Sequence, residues 1–336
     1  MNNKLIDQIV EALSNEDEKA YEYLYRFGII EEIGFEQAIE PMRQILTNPA
    51  YPPYIRATCA IYLGKLEDQD SLELLIGILR DKDENETVRS YAARGLGHLK
   101  NTKAFEPLVD ASRDLRIEPS AIVALGELGD IRAIDPLLVA LKKTGDNRGW
   151  IQQKAVVALR QLEGEKVFRL FLTLLKDPNP SVRFRVISSG IAFWLDKRFV
   201  EPLIDVVKND SDSWVLRAAI RTLASWEEFK DERAIPPIIE ALQKEDAQVA
   251  STAAWTLMHI GDERAIQPLI VATQHQNPEV RYWACYALGN LGDEKVLPTL
   301  EFIAANDTGA MSDWEFVAKS AQDAIERINQ RSTPKN

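Results

Sequence analysis

Residues 280–289 read VRYWACYALG, and this pattern decides the fold because it recurs along the chain. Residues 88–97 read VRSYAARGLG, residues 117–126 read IEPSAIVALG, and residues 249–258 read VASTAAWTLM. When the first residue of each copy is counted as offset zero, apolar or small residues recur at offsets +4, +7, +8 and +11. These offsets lie on one side of a helix. Each copy is therefore predicted to be an amphipathic helix.

Weaker copies extend the pattern over nearly the whole sequence. The copies begin at residues 55, 88, 117, 151, 182, 215, 249, 280 and 317, and their spacing is 29 to 37 residues. Self-similarity with this period is typical of a solenoid, in which each repeat stacks on its neighbours. The sequence thus predicts an all-α fold, a right-handed α-solenoid of about nine helix pairs.

A second signature predicts the other helix of each pair. AFEPL at residues 104–108, AIDPL at 133–137 and AIQPL at 265–269 place a proline in the first turn of a helix. The missing N–H of proline costs nothing there, because no intrahelical acceptor exists for it. A glycine followed by an aspartate, as at Gly261 and Asp262, is expected to end one helix and to supply the N-cap of the next.

The sequence is predicted to form one domain, because no linker, low-complexity segment or change of composition interrupts the repeats. A single solenoid is expected over residues 1–330, with an N-terminal cap at residues 1–37 and a C-terminal cap at residues 305–330. Residues 331–336 are predicted to be a frayed tail. Longer loops, whose role stays open, precede three of the repeated helices, at residues 48–54, 142–150 and 305–313.

Composition and charge exclude several classes of function. Of the 336 residues, 27% are charged and 46% are hydrophobic, as in ordinary folded proteins. The net charge of −12 would repel phosphate backbones, so a nucleic-acid partner is not expected. No stretch approaches the roughly 20 apolar residues of a membrane span, and the N-terminus lacks the apolar run of a signal peptide. With two cysteines and no disulfide framework, a cytoplasmic protein without a membrane partner is expected.

The pattern VR-x-x-AA-x-ALG-x-LGD followed by A-I-x-P-L resembles the HEAT repeat. Within that family it is similar to the phycobilisome-lyase-like (PBS lyase HEAT-like) repeats, over roughly residues 38–328. The resemblance implies that the repeated helices line the concave surface of a solenoid. The family includes bilin lyase subunits, phycobilisome-degradation factors and scaffolds, so the resemblance implies a fold and leaves several functions open.

Arginine follows the first residue of four copies, at Arg56, Arg89, Arg183 and Arg281. In HEAT-type stacks an arginine at this place commonly pairs with an acid or a carbonyl group of the adjoining repeat. The resemblance therefore implies a structural role for these arginines, with Asp81, Asp177 and Glu279 as candidate partners.

The residue types that catalysis or metal binding requires are not grouped in this sequence. None of His98, His259 and His275 is followed by a glutamate, in contrast to the His-Glu pairs of the HEAT-like deoxyhypusine hydroxylases. His98 and His259 lie five repeats apart, on the order of 50 Å, and cannot share a metal. No glycine-rich phosphate loop, GxSxG or CxxC motif occurs. No catalytic residue, metal or resident cofactor is predicted, and Cys59 and Cys285 are expected to be small buried hydrophobes.

Offsets +2, +3, +6 and +10 fall outside the apolar pattern and are expected to face the concave groove. In the eight copies that begin at residues 55 to 280, these offsets hold six basic residues, Lys65, Arg94, Lys154, Arg185, Arg217 and Arg221. Glu127 is the only acid at these offsets. Because the chain as a whole has 52 acids and 40 bases, this excess of bases predicts a groove that attracts a negatively charged ligand.

Aromatic residues at the same offsets are concentrated in the later copies. Tyr91 stands alone early in the chain, whereas the later copies contribute Phe184, Trp255, Tyr282, Trp283 and Tyr286. Arginine and large aromatic side chains are enriched in binding hot spots. The predicted partner-binding site comprises Arg94, Arg185, Arg217, Arg221, Trp255, His259, Tyr282, Trp283, Tyr286 and Asn290.

Two functions fit these patterns. In the first, the chain is a non-catalytic scaffold or adaptor that holds an acidic or extended protein partner in its groove. In the alternative, it is a bilin-handling protein, either a phycobilin lyase subunit or a phycobilisome assembly or degradation factor. Rings would then stack on a tetrapyrrole, bound as a transient ligand, and arginines would pair with its propionates. An enzymatic activity, of the bilin lyase type, is expected only in that second case. The patterns specify neither the identity of the partner nor the oligomeric state.

Overall fold

The computed structural model shows a chain built almost entirely of helices. It describes residues 2–14, 34–143, 145, 148–194, 196–225, 231–312 and 315–332. Helix α1, Asn2–Ser14, precedes the repeats. Each repeat then contributes two helices, which we call the A helix and the B helix in chain order.

The predicted proline signatures fall in A helices, and the B helices carry the repeated offsets. The A helices are α2 (Phe35–Thr47), α4 (Leu72–Arg80), α6 (Phe105–Ala111), α8 (Ile134–Lys142), α10 (Gly164–Leu174), α12 (Val200–Asn209), α14 (Ile235–Ala241), α16 (Ile266–Ala272) and α18 (Leu297–Asn306). The B helices are α3 (Pro53–Lys65), α5 (Glu86–Leu99), α7 (Glu118–Leu128), α9 (Gly149–Gln161), α11 (Pro180–Arg185), α13 (Ser213–Ser225), α15 (Ala247–Ile260), α17 (Pro278–Leu291) and α19 (Val317–Ser332).

The expected aspartate caps are present, one turn earlier than predicted. The Asp262 carboxylate accepts a hydrogen bond from the backbone N–H of Arg264 at 2.8 Å. It thereby caps a 3₁₀ turn, Glu263–Ala265, which leads directly into α16. Asp130 caps the 3₁₀ turn before α8 in the same way. The cap satisfies N–H groups that a helix start would otherwise leave without acceptors.

The repeated apolar offsets form the core, as α17 illustrates. Val280, Ala284 and Leu288 on this helix are fully buried. Successive B helices approach closely because the glycine of the ALG pattern has no side chain. A Cβ atom added at Gly289 would lie 2.6 Å from the Cβ atom of Ala324 on α19. A larger residue at this position would therefore push the two helices apart.

The arginines at offset +1 join one repeat to the next. Arg89 is 3% exposed, its Nε donates to the carbonyl oxygen of Leu79 at 3.2 Å, and its Nη1 donates to Asp114 at 2.9 Å. The expected structural role is confirmed. Of the expected partners, Asp177 is confirmed through its backbone carbonyl oxygen, which accepts a hydrogen bond from Arg183 Nη1 at 2.8 Å, whereas Asp81 and Glu279 are wrong, since other acids pair with these arginines in the described part of the chain. The partner acid lies 25 to 28 residues downstream, beyond the next A helix, in the pairs Arg56–Glu84, Arg89–Asp114, Arg183–Asp210 and Arg281–Asp307.

The copy that begins at residue 117 carries the same contact with its charges exchanged. Glu118 occupies offset +1 and is buried. Its carboxylate accepts hydrogen bonds from Lys143 Nζ at 2.6 Å and from Arg148 Nη1 at 2.7 Å, both downstream of α8. A charge so deeply buried is tolerated because it is paired. The pairing between repeats is therefore retained even where the signs are reversed.

Two segments depart from the regular pattern. After α11 the backbone continues as a π turn, Val186–Gly190, and then as a 3₁₀ turn, Ile191–Phe193. Between α18 and α19, strand β1 (Ala310–Ser312) pairs antiparallel with β2 (Glu315–Phe316). This hairpin overlaps the predicted loop at residues 305–313, where the sequence indicated no strand.

Contacts within the chain divide it into two compact units, residues 1–169 and residues 170–336. The boundary falls inside α10, so α1 to α9 belong to the first unit and α11 to α19 to the second. The single domain expected over residues 1–330 stays a prediction. Parts of the predicted N-terminal cap and of the predicted tail, residues 15–33 and 333–336, lie outside the described residues.

Candidate ligand-binding surface

Four arginine side chains of the second unit lie over aromatic rings. The distance from the guanidinium carbon to the ring centroid is 5.1 Å for Arg185 and Phe184, 5.0 Å for Arg217 and Trp214, 5.4 Å for Arg221 and Trp255, and 4.1 Å for Arg327 and Tyr286. A cation within about 6 Å of a ring face is attracted by the quadrupole of the ring. We call these eight residues the arginine–aromatic surface.

The cations of this surface differ from the arginines that join the repeats. Among the described residues, none of the four guanidinium groups forms an ion pair with a carboxylate. Arg217 donates a single hydrogen bond, to the hydroxyl oxygen of Thr252 at 3.3 Å. The Nε atom of Arg185 is buried and has no hydrogen-bond partner in the described part of the chain. Burial lowers the pKa of this guanidinium, which nevertheless stays protonated. The rings hold these cations in place, and the guanidinium groups of Arg217 and Arg221 keep N–H groups available to an anionic ligand.

The rings of α15 and α17 extend the surface. Trp283 packs edge-to-face with both Tyr282 and Tyr286, at centroid separations of 5.5 Å and 5.6 Å. The His259 ring lies 3.9 Å from the ring of Trp255. Trp255 and Trp283 are half-buried, so each ring packs on its neighbours and still reaches solvent. Aromatic side chains in such positions provide contact area at little cost in conformational entropy.

A cavity of about 400 Å³ opens beside α13. Arg217 and Arg221 line it, together with the rings of Phe184, Phe193 and Trp214. The Phe184 and Trp214 rings meet edge-to-face with their centroids 6.1 Å apart. The volume is within the range of about 300–1,000 Å³ that is usual for ligand sites. Both apolar walls and cations are therefore available to one occupant.

A smaller cavity of about 190 Å³ lies on the other side of the same two arginines. It brings together four of the predicted site residues, Arg217, Arg221, Trp255 and Trp283. It also contains an acid, Glu279, whose carboxylate accepts a hydrogen bond from Gln248 Nε2 at 2.6 Å. The two cavities therefore differ in charge, since no carboxylate of the described residues lines the larger one.

The π turn shapes the larger cavity. A π turn contains one residue more than an α turn, so the side chains after it are displaced by one position. Phe193 occupies offset +11, where the pattern predicts a core residue, yet it is 58% exposed and lines the cavity. Trp194 turns inward in its place, with its ring 5.3 Å from Phe171 and 5.4 Å from Phe199. The predicted burial of Phe193 is wrong because of this one-residue displacement.

Sequence reasoning missed two members of the surface. Trp214 is 63% exposed and stands at offset −1, immediately before its repeat. Tyr54, Trp150 and Phe316 share this offset and are also exposed. Offset −1 is three residues before +2 and four before +3, so it lies on the same helix face. A recurring aromatic at −1 was therefore the available signal. Arg327 was missed because it belongs to the last copy, at offset +10.

Arg94 and Asn290, both predicted site residues, have partners within the protein. Arg94 lies in the first unit, and its Nη2 forms an ion pair with Glu127 at 2.8 Å. Its charge is thus neutralised within the protein, and Arg94 is not part of the arginine–aromatic surface. Asn290 is exposed, but its Nδ2 donates to the carbonyl oxygen of Tyr286 at 2.8 Å. Its Nδ2 also donates to the sulfur atom of Met258 at 3.3 Å, so only the side-chain oxygen of Asn290 remains open to a ligand.

The remaining titratable groups offer little reactive chemistry in the described part of the chain. Cys59 and Cys285 are buried free thiols, as expected. Burial raises the pKa of Cys285 to about 12 and also raises the pKa of Cys59. Within the described ranges, no three His, Cys, Asp or Glu side chains are grouped as a metal site would require. No helix in these ranges has the length and apolarity needed to cross a bilayer.

Comparison with known proteins identifies the family. The HEAT repeats family matches residues 78–153, 200–273 and 264–312, which together make up more than half of the sequence. The chain therefore belongs to the HEAT repeat family. With the succession of A and B helices, this match confirms the predicted all-α solenoid fold.

Individual relatives are similar over different shares of the chain. The bilin biosynthesis protein PecE of Nostoc sp. strain PCC 7120 is 32% identical over 117 residues, 32% of this chain and 46% of PecE. The match thus spans less than half the length of that relative. The karyopherin Kap121p, solved bound to the extreme C-terminus of the phosphatase Cdc14p, superposes with a TM-score of 0.54 at 12% identity, over 97% of this chain and 42% of Kap121p. This similarity shows the fold alone. A chain of the complex of CpcE and CpcF of phycocyanin lyase from Nostoc sp. PCC7120 gives a TM-score of 0.39 at 18% identity, over 71% of this chain and 92% of that chain.

Proposed function

We propose that this chain is a non-catalytic scaffold or adaptor that holds an acidic, extended segment of a partner protein on the arginine–aromatic surface. The observation that carries the proposal is the set of four guanidinium groups that rest on rings and form no ion pair with a described carboxylate. Because the chain has a net charge of −12, its positive potential is confined to few places, and this surface is one of them.

The spacing of two arginines suits an extended acidic ligand. Arg217 and Arg221 are four residues apart on α13, so their stems are about 6 Å apart on one face of the helix. Alternate residues of an extended chain project to the same side at about 7 Å. Two carboxylates at positions i and i+2 of a bound segment therefore match the two guanidinium groups, each of which can donate two parallel hydrogen bonds.

A bilin-handling role is a second candidate, which the similarity to the bilin biosynthesis protein PecE favours. In this case the rings of Trp214, Trp255 and Trp283 would stack on the tetrapyrrole, and the two arginines of α13 would pair with its propionates. The bilin would be a transient ligand rather than a resident cofactor. Any catalysis would be of the bilin lyase type and would rest on positioning the pigment.

Fluorescence anisotropy with a short fluorescein-labelled peptide of alternating glutamate and glycine tests the first role. The peptide should bind, and binding should weaken but persist as salt is added, because ring contacts are screened little. The double variant Arg217→Glu/Arg221→Glu should lose at least about tenfold in affinity, mainly through slower association. Trp255→Ala should cost at least about 1 kcal/mol of binding free energy with the helical circular dichroism unchanged.

Lys244→Glu is the matched control, because Lys244 is an exposed lysine outside the arginine–aromatic surface. It should bind the peptide as the wild type does. Equal binding by the wild type and the double arginine variant would refute the proposed role. Titration with phycocyanobilin tests the second candidate, which requires a shifted and sharpened absorbance band that the same double variant lacks.

A further inference from the structure

The larger cavity of the surface results from a local break in the repeat. The π turn Val186–Gly190 displaces the residues that follow, which turns Phe193 outward and Trp194 inward. Trp194 compensates for the exposure of Phe193 by packing on the buried ring of Phe171. Trp194 therefore fills the core position, while the ring of Phe193 faces solvent. π turns of this kind occur frequently at functional sites.

The walls of the cavity are apolar rings, whereas one position of its lining is polar and unsatisfied. Ser188 lies within the π turn and lines the cavity. Its hydroxyl oxygen is buried and has no hydrogen-bond partner among the described residues. The other buried hydroxyl of the lining, on Thr222, already donates to the carbonyl oxygen of Ala218 at 2.8 Å. A buried polar group without a partner is costly, so a ligand that supplies one is favoured.

The charged residues of the lining indicate which groups flank the part of the ligand inside the cavity. Arg217 and Arg221 line the cavity, and none of the described residues that line it is a carboxylate. Arg217 lies against the Trp214 ring and Arg221 is exposed, so both can reach an anion outside the cavity. The occupant therefore has an apolar ring, a polar group that can bond with Ser188, and acidic groups beside it.

We infer that this cavity holds a tyrosine side chain flanked by acidic residues in an extended segment of the partner, an inference that rests on the proposed function. The tyrosine ring packs edge-to-face on Phe184, Phe193 and Trp214. Its phenolic hydroxyl exchanges a hydrogen bond with Ser188. The flanking carboxylates pair with Arg217 and Arg221.

The test uses three fluorescein-labelled peptides, Gly-Glu-Asp-X-Asp-Glu-Gly with tyrosine, phenylalanine or alanine at X. Anisotropy with the wild-type protein should give the tyrosine peptide about tenfold tighter binding than the alanine peptide. The tyrosine peptide should also bind roughly three- to tenfold tighter than the phenylalanine peptide, as expected for one added hydrogen bond in a buried site. In Ser188→Ala the tyrosine and phenylalanine peptides should bind equally. This substitution removes an unsatisfied hydroxyl, so the folded state should be retained.

A pair of tryptophan variants locates the binding site. Trp214→Ala should weaken the tyrosine peptide about tenfold, whereas Trp150→Ala should leave it unchanged. Trp150 is a matched control because it has the same offset in its own repeat and a similar exposure, 54%, but lies in the first unit.

The outcomes separate this inference from the proposed function. If all three peptides bind the wild type equally and charge reversal at the two arginines abolishes binding, the tyrosine site is refuted and the acidic-segment role stands. If the preference for tyrosine over phenylalanine survives in Ser188→Ala, the hydrogen bond is refuted. If no acidic peptide binds, the proposed function fails together with the inference.

Discussion

Arg89→Met is the substitution that tests most directly how the repeats are joined. Methionine keeps the apolar contacts of the stem and removes the guanidinium group. The variant loses the hydrogen bond from Nε to the carbonyl oxygen of Leu79 and the charged hydrogen bond from Nη1 to Asp114. The first contributes about 0.5–1.5 kcal/mol and the second about 1.5–3 kcal/mol. Asp114 keeps the nearby guanidinium of Arg116, so the cost of leaving its charge unpaired is reduced.

We therefore expect Arg89→Met to lower the free energy of unfolding by about 2–4 kcal/mol. Urea denaturation followed by circular dichroism measures the total loss. Hydrogen exchange read by mass spectrometry locates it, and amides of residues 72–128 should exchange faster before those of distant repeats, because each repeat contacts only its neighbours.

Arg113→Met is the matched control. Arg113 is 71% exposed and forms an ion pair at 2.7 Å with Asp110, three residues earlier in the chain. Exposed pairs of this kind contribute little to stability, so its unfolding curve should overlay that of the wild type. The reasoning would be refuted if the two methionine variants shifted the urea midpoint equally, or if neither shifted it.

Three further predictions concern the core, the acid limit of stability and the thiols. Leu125→Ala should cost about 2–5 kcal/mol, and hydrogen exchange should accelerate first around α7; uniform acceleration along the chain would contradict a stack of nearest neighbours. The Arg281 guanidinium, by hydrogen bonding, holds the pKa of Asp307 below its ordinary value, so this pair stabilises the fold above about pH 4 and the contribution is lost as pH falls through the lowered pKa. The difference in urea midpoint between wild type and Asp307→Asn should accordingly shrink from pH 7 to pH 3, and a constant difference would argue against the linkage. Cys59 and Cys285 should resist a bulky maleimide in the native protein and react in urea, and mass spectrometry showing stoichiometric labelling without urea would contradict their burial.

Much of the fold was predictable because the same sequence pattern occurs in many copies. Apolar residues at a helical period, a proline in the first turn and a capping aspartate all indicate the same helix pair, and each copy supports the others. The role of the arginine at offset +1 was also predictable. The acids that pair with it were not, because the guanidinium reaches toward the following repeat and pairs with an acid beyond the next A helix, as Arg183 does with Asp210. A pairing across the stack has no local signal in the sequence.

The candidate site was predictable in part. The pattern assigned Arg217, Arg221, Trp255 and Trp283 to one face, and the structure brings these four side chains to one cavity. The position of Trp214 on this face could have been predicted from its offset of −1, since a residue at that offset lies on the same helix face as offsets +2 and +3. The π turn could not be predicted from the sequence. Its displacement of one residue depends on Trp194 finding a place among buried rings, which is a property of the neighbouring helices rather than of the local segment.

The ion pairs between repeats restrict how the number of repeats can change. In each of these pairs the residue at offset +1 pairs with a partner 25 to 30 residues downstream, so each of these five repeats depends on its successor for a counter-charge. A deletion or duplication that begins and ends at the same offset, in two copies that both have this arginine, returns the arginine to an acid in the correct place. One that begins and ends at different offsets leaves a buried guanidinium without a counter-charge. The number of these repeats can therefore change by whole repeats, because only such a change keeps each buried arginine next to an acid.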